Sequence, residues 1–483
     1  MKKSISVNMV FNAAYKLLNI LFPFVTSVYL SRVLGPEKIG SVSYAQNIMQ
    51  YFLIFASMGI PTYGIRQIAK CAGDRESLDR TFSELLTINL ISSVICSTAY
   101  TLLILINTTF RAELKLYLCA GLTLYLNILN IDWFYSGREE YVYITVRSFF
   151  VKLISIVAIF VFIKSKDDYT IYALITSLAI TGNYFFNVIN LRGKVSFRLE
   201  RKELRKHLKP VLVLLTVMFA TDLYNQIDVT MLGAMTGNES VGLYSYPVKI
   251  VRIVTGITTA ISATVLPRMC LYFGQGNRDE LKQLFVKTLK LVLMLAVPAC
   301  LGIFTVSEKL VQVLWSESFK NSSQILRCLS IIILVISVSY LSGSVVLTAT
   351  NNEKYLLRAT LTGAVTNIVC NWVLIRSLGA EGAAIASVIS EFAVLAVHLH
   401  YAKPYISFRT GRNYIISLVT ASAVMTAGAS AMVALINNNI ASLCFAVAVG
   451  VALFAAVLAV MKNDTFYLTA NRLLGKLKKN QGT

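Results

Sequence analysis

The chain has 483 residues, of which 56% are hydrophobic and only 14% are charged, whereas a soluble domain of average composition carries about 25% charged residues. Apolar runs long enough to cross a bilayer recur along the whole sequence, which excludes an ordinary soluble protein and predicts a polytopic membrane protein. The formal net charge of +21 is typical of basic cytoplasmic loops beside anionic lipid headgroups, so we expect no nucleic-acid partner.

The N-terminal stretch MKKSISVNMVFNAAYKLLNILFPFVTSVYL has a basic start and a long apolar run, and it lacks the small-residue cleavage site of a signal peptide. It is predicted to be a retained first membrane span. Since about 20 apolar residues are needed to cross the hydrocarbon core, we place about 14 transmembrane helices along the chain. Their rough limits are 7–31, 40–64, 81–106, 112–135, 141–163, 169–191, 210–234, 241–266, 284–306, 324–349, 355–376, 381–402, 414–436 and 440–461.

The distribution of Lys and Arg orients these spans. With the N-terminus in the cytoplasm, the cytoplasmic segments hold roughly three times as many Lys and Arg residues as the segments on the opposite side. Both termini are therefore predicted to be cytoplasmic, as an even number of spans requires.

Two polar loops resemble each other closely: LGPEKIGSVSY precedes the second predicted span, and TGNESVGLYSY precedes the eighth. At a constant offset of 202 residues, Gly35 aligns with Gly237 and Gly40 aligns with Gly242. Because this offset corresponds to six spans, an even number, the two copies are predicted to have the same orientation in the membrane. Such parallel repeats are related by an axis along the membrane normal.

The duplication predicts an all-α fold with two pseudo-symmetric lobes of six helices and an appended helix pair. The N-terminal lobe covers residues 1–195, and a basic cytoplasmic linker covers 196–209. The C-terminal lobe covers 210–410, and the final helix pair with its basic tail covers 411–483. The linker suits an amphipathic helix on the cytoplasmic membrane surface.

Charged residues inside the predicted spans are the candidates for function, since each costs about 2.5–3.5 kcal/mol on membrane-insertion scales. Two interpretations stay open: ion pairs between helices, such as Asp228 with Lys249, or the lining of a water-filled cleft between the lobes. The central bases outnumber the central acids, and this cationic excess suits an anionic ligand, best a phosphate or a pyrophosphate. The bases are Lys16, Arg147, Lys152, Lys249 and Arg252, and the acids are Asp222, Asp228 and Glu391.

Uncharged polar residues of the predicted seventh span, Asn225 and Gln226, form a stripe with Asp222. They either hydrogen-bond to a neighbouring helix or contact the sugars of a substrate. The three acids are candidates for carrying a coupling proton or Na⁺. There is no Gly-rich phosphate loop, no nucleophile elbow, no HExxH and no CxxC motif, so the sequence predicts no metal site, no cofactor and no catalytic residue.

Several segments together resemble the polysaccharide biosynthesis branch of the multidrug/oligosaccharidyl-lipid/polysaccharide exporter superfamily, to which Wzx-type flippases belong. The matching segments are LSRVLGPEKIGSVSYAQNI, FATDLYNQIDVTMLGAMTGNESVGLYSYPVKI, ATVLPRM and NIVCNWVLIRSLGAEGAAIASVISE. The resemblance implies a transporter of twelve to fourteen helices with a MATE-like, two-lobed fold. The family also has basic residues in its central cavity, and Lys16, Lys249 and Arg252 lie in the first and eighth predicted spans, where such residues are expected.

The resemblance further implies a flippase that moves undecaprenyl-diphosphate-linked oligosaccharide across the bacterial plasma membrane, by alternating access of a cationic cavity, for O-antigen, capsule or exopolysaccharide synthesis. Membrane lipids, a glycan polymerase and glycosyltransferases are the expected partners. Two alternatives stay open. One is a cation-coupled drug or metabolite antiporter of the same superfamily, in which acids are essential; the other is a scaffold of a glycan-assembly complex that moves no lipid.

Overall fold

The structure is a computed structural model that describes residues 11, 15, 24–71, 73–198, 204–469 and 471. Every regular element in these residues is a helix, which confirms the predicted all-α class. Contacts along the chain divide it into two compact units, residues 1–242 and 243–483. The predicted boundaries of the two lobes and of the linker stay predictions, because this division by contacts follows a different criterion.

The first unit is built from helices of very unequal length that pack around two apolar cores. In chain order they are α1 (24–33), α2 (Gly35–Ser57), α3 (Ile60–Lys70), α4 (Arg75–Ile106), α5 (Thr108–Ala112), α6 (Leu114–Tyr125), α7 (Asp132–Gly137), α8 (Tyr141–Phe162), α9 (Tyr169–Asn190), α10 (Leu204–Thr236) and the first turn of α11 (Asn238–Ala263).

The second unit holds the rest of α11 and longer helices, with a π-helical segment at Leu341–Leu347. In chain order the remaining helices are α12 (Leu266–Gly274), α13 (Arg278–Leu314), α14 (Ser322–Tyr340), α15 (Lys354–Ala402), α16 (Arg412–Leu435) and α17 (Asn439–Val460).

Among the described residues, 11 helical segments are long and apolar enough to cross a membrane. The predicted count of fourteen is not confirmed, for identifiable reasons. α15 runs for 49 residues through two predicted spans and is interrupted at Gly379, which has φ 56° and ψ −128°. The apolar helical stretch Leu114–Leu129 is shorter than a full span, and the first predicted span, 7–31, lies largely outside the described residues.

The predicted fourth span, 112–135, is wrong as one continuous helix. α6 ends at Tyr125, a 3-10 turn follows at Asn127–Leu129, and α7 begins only at Asp132. Irregular backbone among apolar helices requires internal hydrogen-bond partners. The side-chain amide of Asn89 supplies one, donating to the backbone carbonyl of Asn127 at 3.0 Å. The side-chain amide of Asn127 donates in turn to Asn89 Oδ1 at 3.1 Å and to Ser93 Oγ at 3.0 Å.

The predicted amphipathic helix of the linker is wrong for residues 195–198, and its location on the membrane surface stays a prediction. Residues 195–198 have no regular structure, and residues 204–209 are the start of α10. The segment is non-helical because α4 binds its backbone: the Ser196 amide donates to Asp79 Oδ1 at 3.0 Å, and the Arg198 amide donates to Ser83 Oγ at 2.8 Å. Residues 199–203 lie outside the described part of the chain.

The two aligned loops have the same local geometry. Gly35 and Gly237 both have left-handed backbones, with φ of 71° and 88°; Gly35 is the first residue of α2, and Gly237 directly precedes α11. Within the first unit the two helix starts cross so closely that a Cβ on Gly40 would overlap the Asn238 carbonyl, and a Cβ on Gly242 would overlap the Pro36 carbonyl. Pro36 and Asn238 are themselves one repeat offset apart, so the contact is reciprocal, as a two-fold relation between equivalent positions requires.

The close crossing makes a stability prediction. Gly40→Ala places a methyl group where the backbone carbonyl of Asn238 lies, and overpacking against backbone costs about 1–3 kcal/mol or more. We expect a clear drop in the midpoint of thermal unfolding of the purified protein, followed by tryptophan fluorescence. Gly302→Ala in α13 is the matched control, because no atom outside its own helix lies within 4 Å of that Cβ. Equal midpoints for the two variants would contradict the crossing.

Candidate functional site

The predicted site residues are distributed over both units. Arg147 and Lys152 lie on α8, and the polar stripe with Asp222 and Asp228 lies on α10. These helices belong to the first unit. In the second unit, Lys249 and Arg252 lie on α11 and Glu391 lies on α15. Lys16 falls outside the described residues.

Arg147 lies in a buried network of polar side chains, and its own side chain is only 3% exposed. Its Nη2 lies 3.0 Å from Asp132 Oδ1, its Nε donates to Asn183 Oδ1 at 3.1 Å, and its Nη1 donates to Asn187 Oδ1. The Asn187 amide in turn donates to Asp132 Oδ1 at 2.6 Å, and Tyr143 lies beneath the guanidinium. These contacts favour the interpretation of Arg147 as half of an ion pair that joins α7, α8 and α9.

Gln226 is part of a hydrogen-bonded contact between α10 and α2. Asn47 Nδ2 donates to both the backbone carbonyl and Oε1 of Gln226, at 3.1 and 3.0 Å. Thr230 Oγ1 donates to Asn47 Oδ1 at 2.7 Å and also lies 2.8 Å from the Tyr51 hydroxyl. Of the two roles predicted for Gln226, these contacts favour helix–helix bonding. Asn225 is exposed and donates within its own helix to the Thr221 carbonyl at 2.8 Å.

Lys249 and Arg252 are three residues apart on α11 and therefore share one side of that helix. The Lys249 ammonium lies 4.7 Å from the centroid of the Tyr246 ring. Tyr246 is almost fully buried and packs against Trp315 and Phe319, with ring centroids 5.2 Å away in both cases. An aromatic face attracts a cation without neutralising its charge, and Arg252 is exposed beside Lys249.

The remaining candidates differ in their exposure. Lys152, Asp222 and Glu391 are half-buried, and Asp228 is 8% exposed. The structure brings Gln226 to Asn47 and Arg147 to Asp132. The part of the chain that is described holds no cluster of three His, Cys, Asp or Glu residues that could hold a metal ion.

Sequence reasoning missed the residues that complete these networks. Asp132, Asn183 and Asn187 surround Arg147, and Asn47 holds Gln226. It also missed a buried cluster in which His207 contacts both Tyr63 and Glu84. A detectable signal existed for Glu84, which is a carboxylate just inside the predicted third span, but a partner 123 residues away cannot be read from a single sequence.

The sequence profile of the family described as "Polysaccharide biosynthesis protein" matches residues 5–273, more than half of the chain. The chain belongs to this family. A second profile, MatE, matches residues 214–373, which begins near the predicted start of the second lobe. The match to the polysaccharide biosynthesis family covers three of the four segments whose resemblance was noted in the sequence. The fourth segment, 367–391, lies beyond residue 273 and overlaps only the end of the MatE match.

Several named proteins are similar to this member of the family. A "Putative O-antigen transporter" of Escherichia coli strain K12 is 24% identical over 410 residues, covering 83% of this chain and 97% of that protein. The "Probable low-salt glycan biosynthesis flippase Agl15" of Haloferax volcanii is 25% identical over 205 residues, which is 42% of this chain and 43% of that protein. Both relatives are named as transport proteins.

Solved structures show the same fold. A lipid II flippase MurJ in an inward closed conformation aligns with a TM-score of 0.78 at 15% identity, over 94% of this chain and 99% of that chain. An inward-facing multidrug resistance MATE transporter of the MOP superfamily aligns with a TM-score of 0.64 at 17% identity, over 82% of this chain and 97% of that chain. The predicted MATE-like fold is thereby confirmed.

The Arg147 network generates a stability prediction. Asp132→Asn leaves a guanidinium buried without its carboxylate, and breaking a buried ion pair in this way costs about 3–5 kcal/mol. We expect a large fall in the thermal unfolding midpoint, and a smaller loss in a double variant with Arg147→Met than the two single losses would give together. Glu76→Gln is the control: its carboxylate is 68% exposed and paired with Arg80 on the surface, so it should change stability by less than about 1 kcal/mol. Asp132→Asn matching that control would refute the buried pair.

Proposed function

We propose that this protein is a flippase that moves undecaprenyl-diphosphate-linked oligosaccharide repeat units across the bacterial plasma membrane for surface polysaccharide synthesis. The observation that carries the proposal is the match to the E. coli O-antigen transporter over 97% of that protein's length, within a family described by polysaccharide biosynthesis. The likeness to the MurJ fold supports it.

Moving a lipid-linked oligosaccharide through a membrane requires a binding site of a particular kind. A diphosphate with several sugars cannot cross hydrocarbon unaided, because each polar group would lose its water without gaining a partner. A transporter therefore has to supply cations to the diphosphate while the polyprenyl tail stays in lipid. Alternating access supplies them first on one side of the membrane and then on the other.

Lys249 and Arg252 are the residues that we propose for the diphosphate. A half-buried ammonium above an aromatic ring lies beside an exposed guanidinium on the same side of α11, and such donors make charge-assisted hydrogen bonds to phosphate oxygens. Lys152 and Lys16 are proposed as further cationic contacts along the path, and Asn225 is proposed as a sugar contact. Asp222, Asp228 and Glu391 stay proposed as ion-coupling residues. Arg147 and Gln226, predicted as ligands, are left in the structural roles that their contacts favour.

The proposal includes a location and partners. We place the protein in the plasma membrane with both termini in the cytoplasm, on the basis of the asymmetry of Lys and Arg between its loops. A glycan polymerase and glycosyltransferases are proposed neighbours in the membrane. The protein acts as a transporter and not as an enzyme, consistent with the names of its relatives.

The alternative of a drug or metabolite antiporter is less favoured. The full-length relative is an O-antigen transporter, and the TM-score against the MurJ structure exceeds that against the inward-facing MATE transporter. The two functions differ in the charge that the substrate carries, so they also differ in which buried residues are essential.

Reconstitution tests the function directly. Purified protein in liposomes that contain a fluorescent undecaprenyl-diphosphate disaccharide should speed the loss of fluorescence when an impermeant quencher is added outside. Undecaprenyl monophosphate carrying the same dye is the matched control and should move more slowly, because one phosphate offers fewer oxygens to the cations. No acceleration over empty liposomes would overturn the flippase proposal and favour a scaffold. Transport of a cationic dye instead would favour the antiporter.

The diphosphate site has its own prediction. Lys249→Ala with Arg252→Ala should abolish polymer export in cells and flipping in liposomes, with unchanged protein levels in the membrane, because both proposed phosphate donors are removed. The charge-preserving pair Lys249→Arg with Arg252→Lys should retain part of the activity. Lys403→Ala with Arg409→Ala removes two exposed cations after α15 and should leave export intact. Full export by the first double variant would remove these residues from the site.

A further inference from the structure

A buried titratable cluster lies where the chain enters α10, on helices of the first unit. The Glu84 side chain is 0% exposed and the His207 side chain is 3% exposed. His207 Nε2 lies 2.7 Å from Glu84 Oε2, and His207 Nδ1 lies 2.9 Å from the Tyr63 hydroxyl. The Lys206 ammonium lies 3.3 Å from the same Glu84 oxygen, on a side chain that is 45% exposed. The cluster thus joins α3, α4 and α10.

The hydrogen bonds assign the protons. A carboxylate oxygen only accepts, so Nε2 carries a proton and donates it to Glu84. In the neutral imidazole, Nδ1 then accepts from the Tyr63 hydroxyl. If a proton binds to Nδ1, the direction of that bond reverses and Nδ1–H donates to the Tyr63 oxygen, because a phenol can serve in either role. The imidazole can therefore take up one proton without losing either hydrogen bond.

The second carboxylate oxygen of Glu84, Oε1, is the unusual feature of this cluster. Glu84 Oε1 is buried and has no hydrogen-bond partner among the described residues, and an unsatisfied charged oxygen in such surroundings is costly. The surroundings are apolar, since Tyr63, Phe82, Leu85 and Val211 belong to one buried core cluster. The carboxylate therefore depends on the groups at its other oxygen, Oε2, for its neutralisation.

Other ionisable groups near the cluster already have partners or lack charge. Asp79, the preceding carboxylate of α4, accepts from the Ser196 amide. The phenols Tyr135, Tyr141 and Tyr143 of α7 and α8 pack against the same core. Glu84, Lys206 and His207 are the ionisable groups whose contacts define the cluster.

We propose that Glu84 and His207 form a proton-binding site in which an imidazolium replaces Lys206 as the cation that neutralises the buried carboxylate. Without the proton, Glu84 and Lys206 balance each other and His207 is neutral. With the proton on Nδ1, the cluster has one excess positive charge. Lys206 is the half-exposed member, so it moves into water, while the imidazolium keeps its 2.7 Å contact. Proton binding thereby frees the first turn of α10 from α4.

The test is a pH titration of the purified full-length protein with isotope-labelled histidine, followed by NMR. The chain has only three histidines, His207, His398 and His400, and His207→Gln identifies the relevant signal. The measurement needs no transport substrate, so its failure is distinguishable from failure of the flippase proposal.

In the unmodified chain we expect the His207 signal to change from the neutral to the imidazolium form as the pH falls. Glu84→Gln keeps a hydrogen-bond acceptor but removes the charge, and should lower the proton affinity of His207 at least about tenfold, the usual effect of losing an adjacent carboxylate. Lys206→Gln removes the competing cation and should raise that affinity severalfold. Because Lys206 is half-exposed, this variant is expected to fold even if Glu84→Gln does not.

Lys209→Gln is the matched control, since it removes an exposed positive charge one turn further along α10, and it should leave the titration unchanged. A His207 signal that stays neutral throughout, or one that Glu84→Gln does not move, would overturn the site. If Lys206→Gln and Lys209→Gln have the same effect, the replacement of Lys206 by the imidazolium is wrong.

Discussion

A charged or polar group buried among apolar helices has to find a partner inside the protein, because neither lipid nor a dry core offers one. Arg147, Glu84 and Lys249 meet this requirement with different kinds of partner. Arg147 has a carboxylate and two amides as partners. Glu84 has Lys206 and His207 at one oxygen and no hydrogen-bond partner at the other. Lys249 rests on an aromatic ring, which supports a cation but leaves its charge available to an anion.

These partners distinguish the charge that we assign a structural role from those that we propose as functional, which depth in the membrane does not. Arg147 and Lys249 both lie inside predicted spans, and from sequence they looked equivalent. The two residues differ in the chemistry of their neighbours. Arg147 contacts a carboxylate and two amide oxygens, whereas Lys249 lies over an aromatic ring. A base can bind a diphosphate only if its own protein has not already neutralised it.

The sequence alone predicts the properties that depend on amino-acid composition and on repeated sequence patterns. Helical class and membrane location follow from long apolar runs, and the repeat was visible because Gly35 and Gly237 are needed for left-handed backbone before two equivalent helices. The break between α6 and α7 was missed because Tyr125 to Asp132 is apolar enough to pass as helix, while its cause, the Asn89–Asn127 bonding, joins residues 38 positions apart. Single charges can be found in a sequence, but pairs such as Glu84 and His207 are created by the fold.

α10 connects these observations. Of its 33 residues only four are buried, His207, Val211, Asp228 and Leu232. Its apolar contacts in the first unit include Val211 and Leu214 at the core that contains Tyr63, and Phe219 against Phe55. Polar contacts add to these: His207 to Glu84 near its start, and Gln226 and Thr230 to Asn47 further along. Between helices in lipid there is no hydrophobic driving force, and such hydrogen bonds contribute about 1 kcal/mol each. In the proposed site, exchanging Lys206 for an imidazolium removes one contact at the first turn and leaves the apolar and polar contacts further along the helix in place. The expected effect of the proton is therefore confined to the first turn of α10.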